Sequence, residues 1–274
     1  MLEKYSVLMS LYIKEKPDNL RLAIQSMVDQ TYAPDEIVIV KDGMITEELD
    51  SVLNDFSEKY PHLFNIVGYE KNRGLGVALN FGLGYCRNEL VARMDTDDIS
   101  LPDRCETQIK VFEKNPSFEI VGGDISEFVD KEDNIVAYRR VPKDDEAIKE
   151  YLKIRCPFNH MTVMYKKSAV LLAGGYRDLF WNEDYYLWIR MAEHGIRMAN
   201  TGTLLVNVRT GADMYKRRGG KKYFASEKFL QNYMLERKMI GYGTYFSNVC
   251  KRFIVQILLP NSLRGWVFKK FARK

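Results

Sequence analysis

The sequence predicts an α/β fold: a doubly wound, mostly parallel sheet with helices on both faces, followed by a helical, basic C-terminal extension. Three observations predict it. Short apolar runs alternate with amphipathic stretches four times over about the first 95 residues, as parallel sheets with crossover helices do. Each apolar run ends in polar residues. The charge also changes along the chain: residues 1–208 carry 25 Lys and Arg against 34 Asp and Glu, whereas residues 209–274 carry 16 against 3.

The elements follow in order. Tyr5–Tyr12, YSVLMSLY, reads as a buried strand. In the stretch after it, Leu20, Ala23, Ile24, Met27 and Val28 recur at helical spacing, with Asp18 or Asn19 placed to cap the start. DEIVIVKDG is a second strand closing in an Asp42-Gly43 turn, and EELDSVLNDFSEKY a second amphipathic helix. FNIVGYE is a third strand, and NRGLGVALNFGLGYC a loop entering a helix. ELVARMD is a fourth strand. In such sheets ligands lie beyond the carboxyl ends of the strands. Tyr12 and Lys14, Asp42, Asn72 and Arg73, and Asp95 to Asp98 are therefore expected to converge on one crevice.

Further on, RCETQIKVFEKNP reads as a helix, FEIVGGDISEFVD and NIVAYRRVP as strands turning near Glu132–Asn134, and EAIKEYLKIR as a helix. HMTVMYKKSAVLLAGGYRD reads as a strand, a short helix and a Gly-Gly break, and NEDYYLWIRMAEHG as a helix with acids at its start. Charge and pattern change together near Gly211, which divides the chain into residues 1–210 and an appended segment, 211–274.

Bulk properties exclude several classes. Hydrophobic content of 46% with 12% aromatics supports a packed core rather than a disordered chain. Cys86, Cys105, Cys156 and Cys250 are widely spaced and form no CxxC pair, which argues against a disulfide scaffold or zinc site. No apolar run is long enough to span a bilayer, and no secretory signal is visible.

The chemistry centres on VARMDTDDISLPDR, which places Asp95, Asp97 and Asp98 within four positions at the mouth of an apolar strand. Such acids are solvated, structural or bound to a cation. Burial at a strand end makes unpartnered carboxylates costly, and hard divalent cations such as Mg²⁺ or Mn²⁺ take oxygen ligands. An EF-hand loop is excluded because Ile99 and Ser100 stand where an oxygen ligand and a glycine are required. A haloacid-dehalogenase Asp-x-Asp would follow the first strand, not the fourth.

The other candidates are individually weaker. Gly74-x-Gly76 lacks the third glycine of a dinucleotide fingerprint, since Leu79 stands there. Asp42 is either an ordinary turn residue or an acceptor for a base edge. Glu183 and Asp184 begin a helix, where acids favour the dipole and where one of them could act as a general base. Trp181, Tyr185 and Trp188 are either core or an aromatic wall for a sugar face. His160 enters a strand and is a candidate contact for a metal or phosphate.

Six segments in order, SVLMSLY, SMVDQTYAPDEIVIVKDG, NRGLGVALNFGL, ARMDTDDISLPDRCETQ, NHMTVMYKKSAVLLAGGYR and EDYYLWIRM, make the chain from Ser6 to about Arg209 resemble glycosyltransferase family 2, whose fold is called GT-A. The resemblance implies a nucleotide-sugar donor, expected to be a UDP-sugar, and Mn²⁺ or Mg²⁺ as cofactor. Asp95-Thr96-Asp97 matches the DxD motif, with Asp97 the metal ligand and Asp95 nearer the ribose and metal; His160 is a further candidate ligand. Tyr12, Asp42, Arg73 and Asn80 fall on donor-pocket positions, although Lys41 stands where many members have the first Asp of DDG. Asp184 matches the catalytic base, with Glu183 and Trp181 on the acceptor side. The resemblance further implies that residues 1–210 are the catalytic domain, binding the nucleotide-sugar over about residues 1–100 and the acceptor over about 101–210, with 211–274 as the extension. The implied reaction is inverting. A non-catalytic relative is opposed by the presence of Asp95, Asp97 and Asp184. A nucleotidyltransferase would need a Gly-rich, basic loop after the first strand, which LYIKEKPDN lacks.

In residues 244–274, Tyr245, Val249, Phe253, Ile254, Ile257 and Leu258 recur at i, i+4 spacing before Pro260; Leu263, Trp266, Val267 and Phe271 resume the pattern beside Arg264, Lys269, Lys270, Arg273 and Lys274. This resembles an interfacial amphipathic helix. The expected partners are an anionic membrane surface on its cytoplasmic side and a lipid-linked saccharide acceptor of capsule, O-antigen or exopolysaccharide type. A helix packed on the body is the other reading. Nucleic acid is not expected, because no binding module accompanies the basic residues.

Overall fold

The computed structural model describes residues 3–211 and 219–259. Four parallel strands, β1 (Tyr5–Leu11), β2 (Glu36–Asp42), β3 (Phe64–Tyr69) and β4 (Leu90–Met94), stand in the order β3-β2-β1-β4. They are joined by α1 (Pro17–Val28), α2 (Glu47–Lys59) and α3 (Leu75–Tyr85). β1, β2 and β4 are buried on both faces, so their sequences are near-continuous apolar runs. The first helix departs from expectation at its start: Lys16 is the N-cap and Pro17 begins the helix, so Asp18 lies in the first turn and no side chain caps it.

The remaining strands turn the sheet mixed. They are β5 (Ile99–Ser100), β6 (Ile120–Phe128), β7 (Ile135–Arg139), β8 (Met164–Lys166) and β9 (Met198–Arg209). β8 pairs antiparallel with both β4 and β6, β9 runs parallel to β6, and β5 pairs antiparallel with β9. α4 (Arg104–Lys114), α5 (Asp145–Leu152), α6 (Lys167–Leu172) and α7 (Glu183–Glu193) complete this part. Because β8 pairs with β4, the expected donor and acceptor halves share one sheet. β9 ends at Arg209.

Two cores flank the sheet. Alternate residues of the central strands divide between them. Leu8, Val40 and Val91 pack with α3, α6 and α7, while Val7, Met9, Ile39 and Ala92 pack with α1, α2 and α4. The extension supplies α8 (Lys221–Glu236) and α9 (Tyr242–Phe253), continued by a wider π-helical turn, Ile254–Leu258. It joins the body: Leu230 and Met234 of α8 are buried in the first core. The pattern read over Leu263–Phe271 lies outside the described residues.

Candidate active site

β1 to β4 all run the same way, so residues 12–16, 43–46, 70–74 and 95–98 leave the sheet on one edge, the edge where α/β sheets hold ligands. At β4, Val91 faces the α3/α7 core, and the pleat turns Arg93 and then Asp95 the same way. Arg93 is 1% exposed and its guanidinium forms an ion pair with Asp95. Burial works against the charge on Arg93, and Asp95 more than offsets it.

Asp95, Asp97 and Asp98 bring carboxylate oxygens within 4.8 Å of one another. Burial first, then Asp95 and Glu15, holds the Asp97 carboxyl well above its ordinary range. Glu15 comes from the loop after β1 and accepts a hydrogen bond from Thr96 Oγ1 at 3.1 Å. Asp98 is buried and raised for the same reason, with Asp97 its nearest like charge. Its Oδ1 accepts the Arg209 backbone N–H at 2.8 Å, while Arg209 Nε reaches the Asp97 carbonyl at 3.2 Å. Asp98 therefore ties the acidic loop to the end of β9. The donor set is all oxygen, crowded, and offset by one buried cation. It fits a hard divalent ion with ligand positions left for diphosphate and water.

Asp42 is 4% exposed. Oδ1 accepts from Tyr69 OH at 2.8 Å and Arg73 N–H at 2.7 Å; Oδ2 accepts from Asn72 Nδ2 at 2.9 Å and Gly74 N–H at 3.0 Å. Asp42 thus organises residues 69–74, and a base edge would have to exchange with one of these donors. Gly43 has φ +91°, and a Cβ there would stand 2.7 Å from Asn72 N, so the turn needs glycine. Arg73 stacks over Tyr69, 5.0 Å from the ring centre. Tyr12 is exposed beyond β1. Asn80 is exposed, and its Oδ1 accepts Tyr176 N–H at 3.1 Å, fixing α3 to the Gly174-Gly175 turn.

Asn182 starts α7, and Glu183 and Asp184 occupy its first turn. Gly76 of α3 approaches so closely that a Cβ there would lie 3.3 Å from Glu183 Cβ. Burial and then Asp184 push Glu183 up to about 7. Burial also raises Asp184, against the lowering effect of Arg93 and Arg139. The Cys156 thiol lies 3.8 Å from Asp184 Oδ2. Arg93 thus influences both the loop acids and the α7 acids. A carboxylate with a raised affinity for protons beside a crevice suits general-base work.

The three aromatics separate. Tyr185 and Trp188 are core, whereas Trp181 is 47% exposed, holds φ +54°, and stacks on Phe180 at 4.6 Å. His160 lies in a 3₁₀ turn, His160–Thr162, before β8. Its Nε2 is 3.1 Å from Tyr176 OH, and burial, then Arg93, drives its pKa well below the ordinary value. Among the described residues the acid group with metal-holding spacing comprises Asp95, Asp97 and Asp98, without His160. The neutral ring sits instead between Tyr176 and Trp188.

Sequence reasoning missed Arg93 and Glu15. Arg93 had a visible signal, a cation inside an otherwise apolar strand. Glu15 had none, because only the fold of the loop brings it to Thr96.

Residues 6–172 match the family model described as Glycosyl transferase family 2. An uncharacterized glycosyltransferase of Haemophilus influenzae is 45% identical over 275 residues, covering 99% of this chain and 100% of the relative. The UDP-Gal:alpha-D-GlcNAc-diphosphoundecaprenol beta-1,3-galactosyltransferase of Escherichia coli is 38% identical over 271 residues, covering 99% and 97%. The mannosyltransferase PcManGT from Pyrobaculum calidifontis, solved with GDP-Man and Mn²⁺, superposes with a TM-score of 0.60 at 16% identity, covering 99% of this chain and 81% of that one. The sheet is that of the GT-A fold, and on the match and the relatives together the chain belongs to glycosyl transferase family 2.

Proposed function

We propose that this chain is an inverting, metal-dependent glycosyltransferase. It moves a hexosyl or N-acetylhexosaminyl group from a UDP-sugar to a hydroxyl of a lipid-linked saccharide, in assembly of a capsule, O-antigen or exopolysaccharide. The carrying observation is that an all-oxygen acid cluster at the end of β4, ion-paired to the buried Arg93, and a half-buried carboxylate at the start of α7 both lie within the electrostatic reach of that cation. The donor and acceptor classes are supported by the relative that uses UDP-Gal and a diphosphoundecaprenol-linked acceptor.

Asp184 takes the proton from the acceptor hydroxyl. The oxygen attacks the anomeric carbon from the side opposite the nucleotide, and the sugar–diphosphate bond breaks with its electron pair leaving on the phosphate. General-base assistance of this kind contributes about 10²–10⁴-fold. Asp97 and Asp95 would hold the divalent cation, Mn²⁺ or Mg²⁺, with Asp98 anchoring their loop. When bound, the cation neutralises charge developing on the diphosphate oxygens. Residues 69–74, shaped by Asp42, bound the nucleoside end of the pocket beside Tyr12, Arg73 and Asn80. Glu183 and Trp181 line the acceptor side. The enzyme works at the cytoplasmic face of the membrane, as a peripheral protein, where its acceptor is held.

The test is a panel of UDP- and GDP-sugars with Mn²⁺ and a short-chain GlcNAc-diphosphate-lipid acceptor, with the product anomer read by NMR. Transfer from a UDP-sugar with inverted configuration is the expected result. Retention of configuration, or full turnover after complete metal chelation, overturns the proposal.

A further inference from the structure

α9 is amphipathic in the inverted sense. Its inward face is polar. Asn248 is 3% exposed and donates through Nδ2 to the Lys153 carbonyl and to Gln231 Oε1, both at 2.9 Å. Arg252, one turn on, donates to Glu227 Oε2 at 2.5 Å and to the Ile154 carbonyl at 2.6 Å. In the turn that continues the helix, Gln256 is 5% exposed, and its backbone carbonyl accepts Gly220 N–H at 3.0 Å. The outward face is apolar: Phe246 is 60% exposed, Phe253 42%, Ile254 50% and Leu258 61%. At about 100° per residue, Phe246 and Phe253 fall on the side of the helix opposite Asn248. A helix serving only to pack on the body would present the reverse pattern.

A groove of about 510 Å³ opens on this side between α8 and α9, lined by Phe224, Lys228, Val249, Cys250, Phe253 and Ile254. Lys228 lines the groove, and Lys221, Lys222 and Lys251 are exposed elsewhere on the same two helices. Of the three acids in residues 209–274, Glu227 is buried against Arg252, which leaves the outer surface strongly cationic. Exposed apolar side chains on a helix pair whose exposed charge is mostly lysine suit an anionic lipid surface, where rings insert at the headgroup boundary and lysines meet phosphate. Another protein would have to match both features. Residues 260–274 repeat this composition, with Trp266, Val267 and Phe271 among five basic residues.

The same helix pair is fastened beside the proposed base. Asn182 Nδ2 donates to Ser226 Oγ at 2.7 Å, and Trp181 stands 6.4 Å from the Tyr223 ring.

We propose that the outward face of α8 and α9 docks on an anionic bilayer. It thereby sets the height of Asp184 above the membrane that carries the acceptor. The docking deepens the transferase reading above, and its second clause rests on that reading.

The experiment uses the full chain and flotation with vesicles of phosphatidylcholine alone or with phosphatidylglycerol added. The double variant Phe246→Ser with Ile254→Ser removes two exposed rim residues outside the catalytic machinery. Circular dichroism and thermal melting confirm that it folds. Wild type is expected to float with phosphatidylglycerol vesicles, less so at high salt, and the double variant to lose about tenfold or more of its partitioning. The variant should retain turnover on a short, water-soluble acceptor and lose it on the acceptor embedded in vesicles. Absent flotation of wild type, or equal flotation of the variant, overturns the docking. So does a solution dimer that the double substitution splits, because the face would then belong to a second copy. Flotation needs no turnover. Its failure leaves the transferase reading standing, and a lack of turnover on the soluble acceptor with intact flotation refutes that reading alone.

Discussion

Arg93 and Asp95, two positions apart on the same side of β4, form an ion pair whose cation is wholly buried and whose carboxylate stands at the mouth of the crevice. The pairing explains how a strand otherwise made of Leu90, Val91, Ala92 and Met94 tolerates an arginine. It also explains how several acids gather in one place, because Arg93 draws down the proton affinity of Asp97, Asp98, Glu183 and Asp184 together.

Arg93→Met should therefore cost more than its shape change suggests. Methionine fills much of the space but leaves the acids without their cation. Losing one partner of a buried pair costs about 3–5 kcal/mol; we expect the lower end, since Asp95 is partly open to water. Transfer should fall by about 10²-fold, a loss of about 2.7 kcal/mol in transition-state stabilisation. Arg93→Lys, which keeps the charge but not the planar fork, should lie between. Urea unfolding and kcat/KM measure the two effects; an Arg93→Met protein as stable and active as wild type would remove Arg93 from the account.

The pH dependence of stability follows from the raised acids. Asp97, Asp98, Glu183 and Asp184 all hold protons more tightly folded than unfolded, Glu183 up to about 7. Between about pH 4, the ordinary carboxyl range, and pH 7, the folded state binds more protons than the unfolded one. Stability of the metal-free protein should therefore fall as pH rises through that window. Asp97→Asn should flatten part of the slope and also abolish Mn²⁺ binding measured by calorimetry. Thermal melts from pH 4 to pH 8 with chelator present test the first point. A stability that climbs across this range contradicts the assignment.

Asp42 acts through the loop it holds. With four hydrogen bonds lost, Asp42→Ala should loosen residues 69–74 and raise the donor KM about tenfold or more, about 1.4 kcal/mol of binding, with a smaller effect on kcat. Asp42→Asn keeps the oxygen that accepts two of the donors and should be milder. A donor titration at saturating acceptor separates KM from kcat. A pure kcat effect would place Asp42 in the chemistry instead.

Much of this was legible in the sequence because the relevant forces are local. β1, β2 and β4 are buried on both faces and so read as apolar runs, and α1 and α2 between them show helical apolar spacing. The acids at Asp95–Asp98 and Glu183-Asp184 stand at element boundaries, which periodicity locates. β9 was not foreseen, since Thr201, Gly202 and Thr203 interrupt its apolar pattern and only pairing with β6 and β5 sustains it. The role of Asp98 is not legible in the sequence, because its partner, Arg209, is distant in the chain and meets it through a backbone N–H. The i, i+4 apolar spacing of α9 was visible, but not that the body would take its polar side. Spacing identifies a face and cannot say which way it turns.

The central claim is that Asp184 removes the acceptor proton at a site whose donor is held independently by residues of the β-strand edge. The most direct measurement is single-turnover transfer by wild type and Asp184→Asn with donor binding measured in parallel. The account predicts a transfer rate lower by about 10²–10⁴-fold with donor affinity unchanged within about twofold, that is about 0.4 kcal/mol. Equal transfer rates in the two proteins, or a loss explained wholly by weaker donor binding, would contradict it.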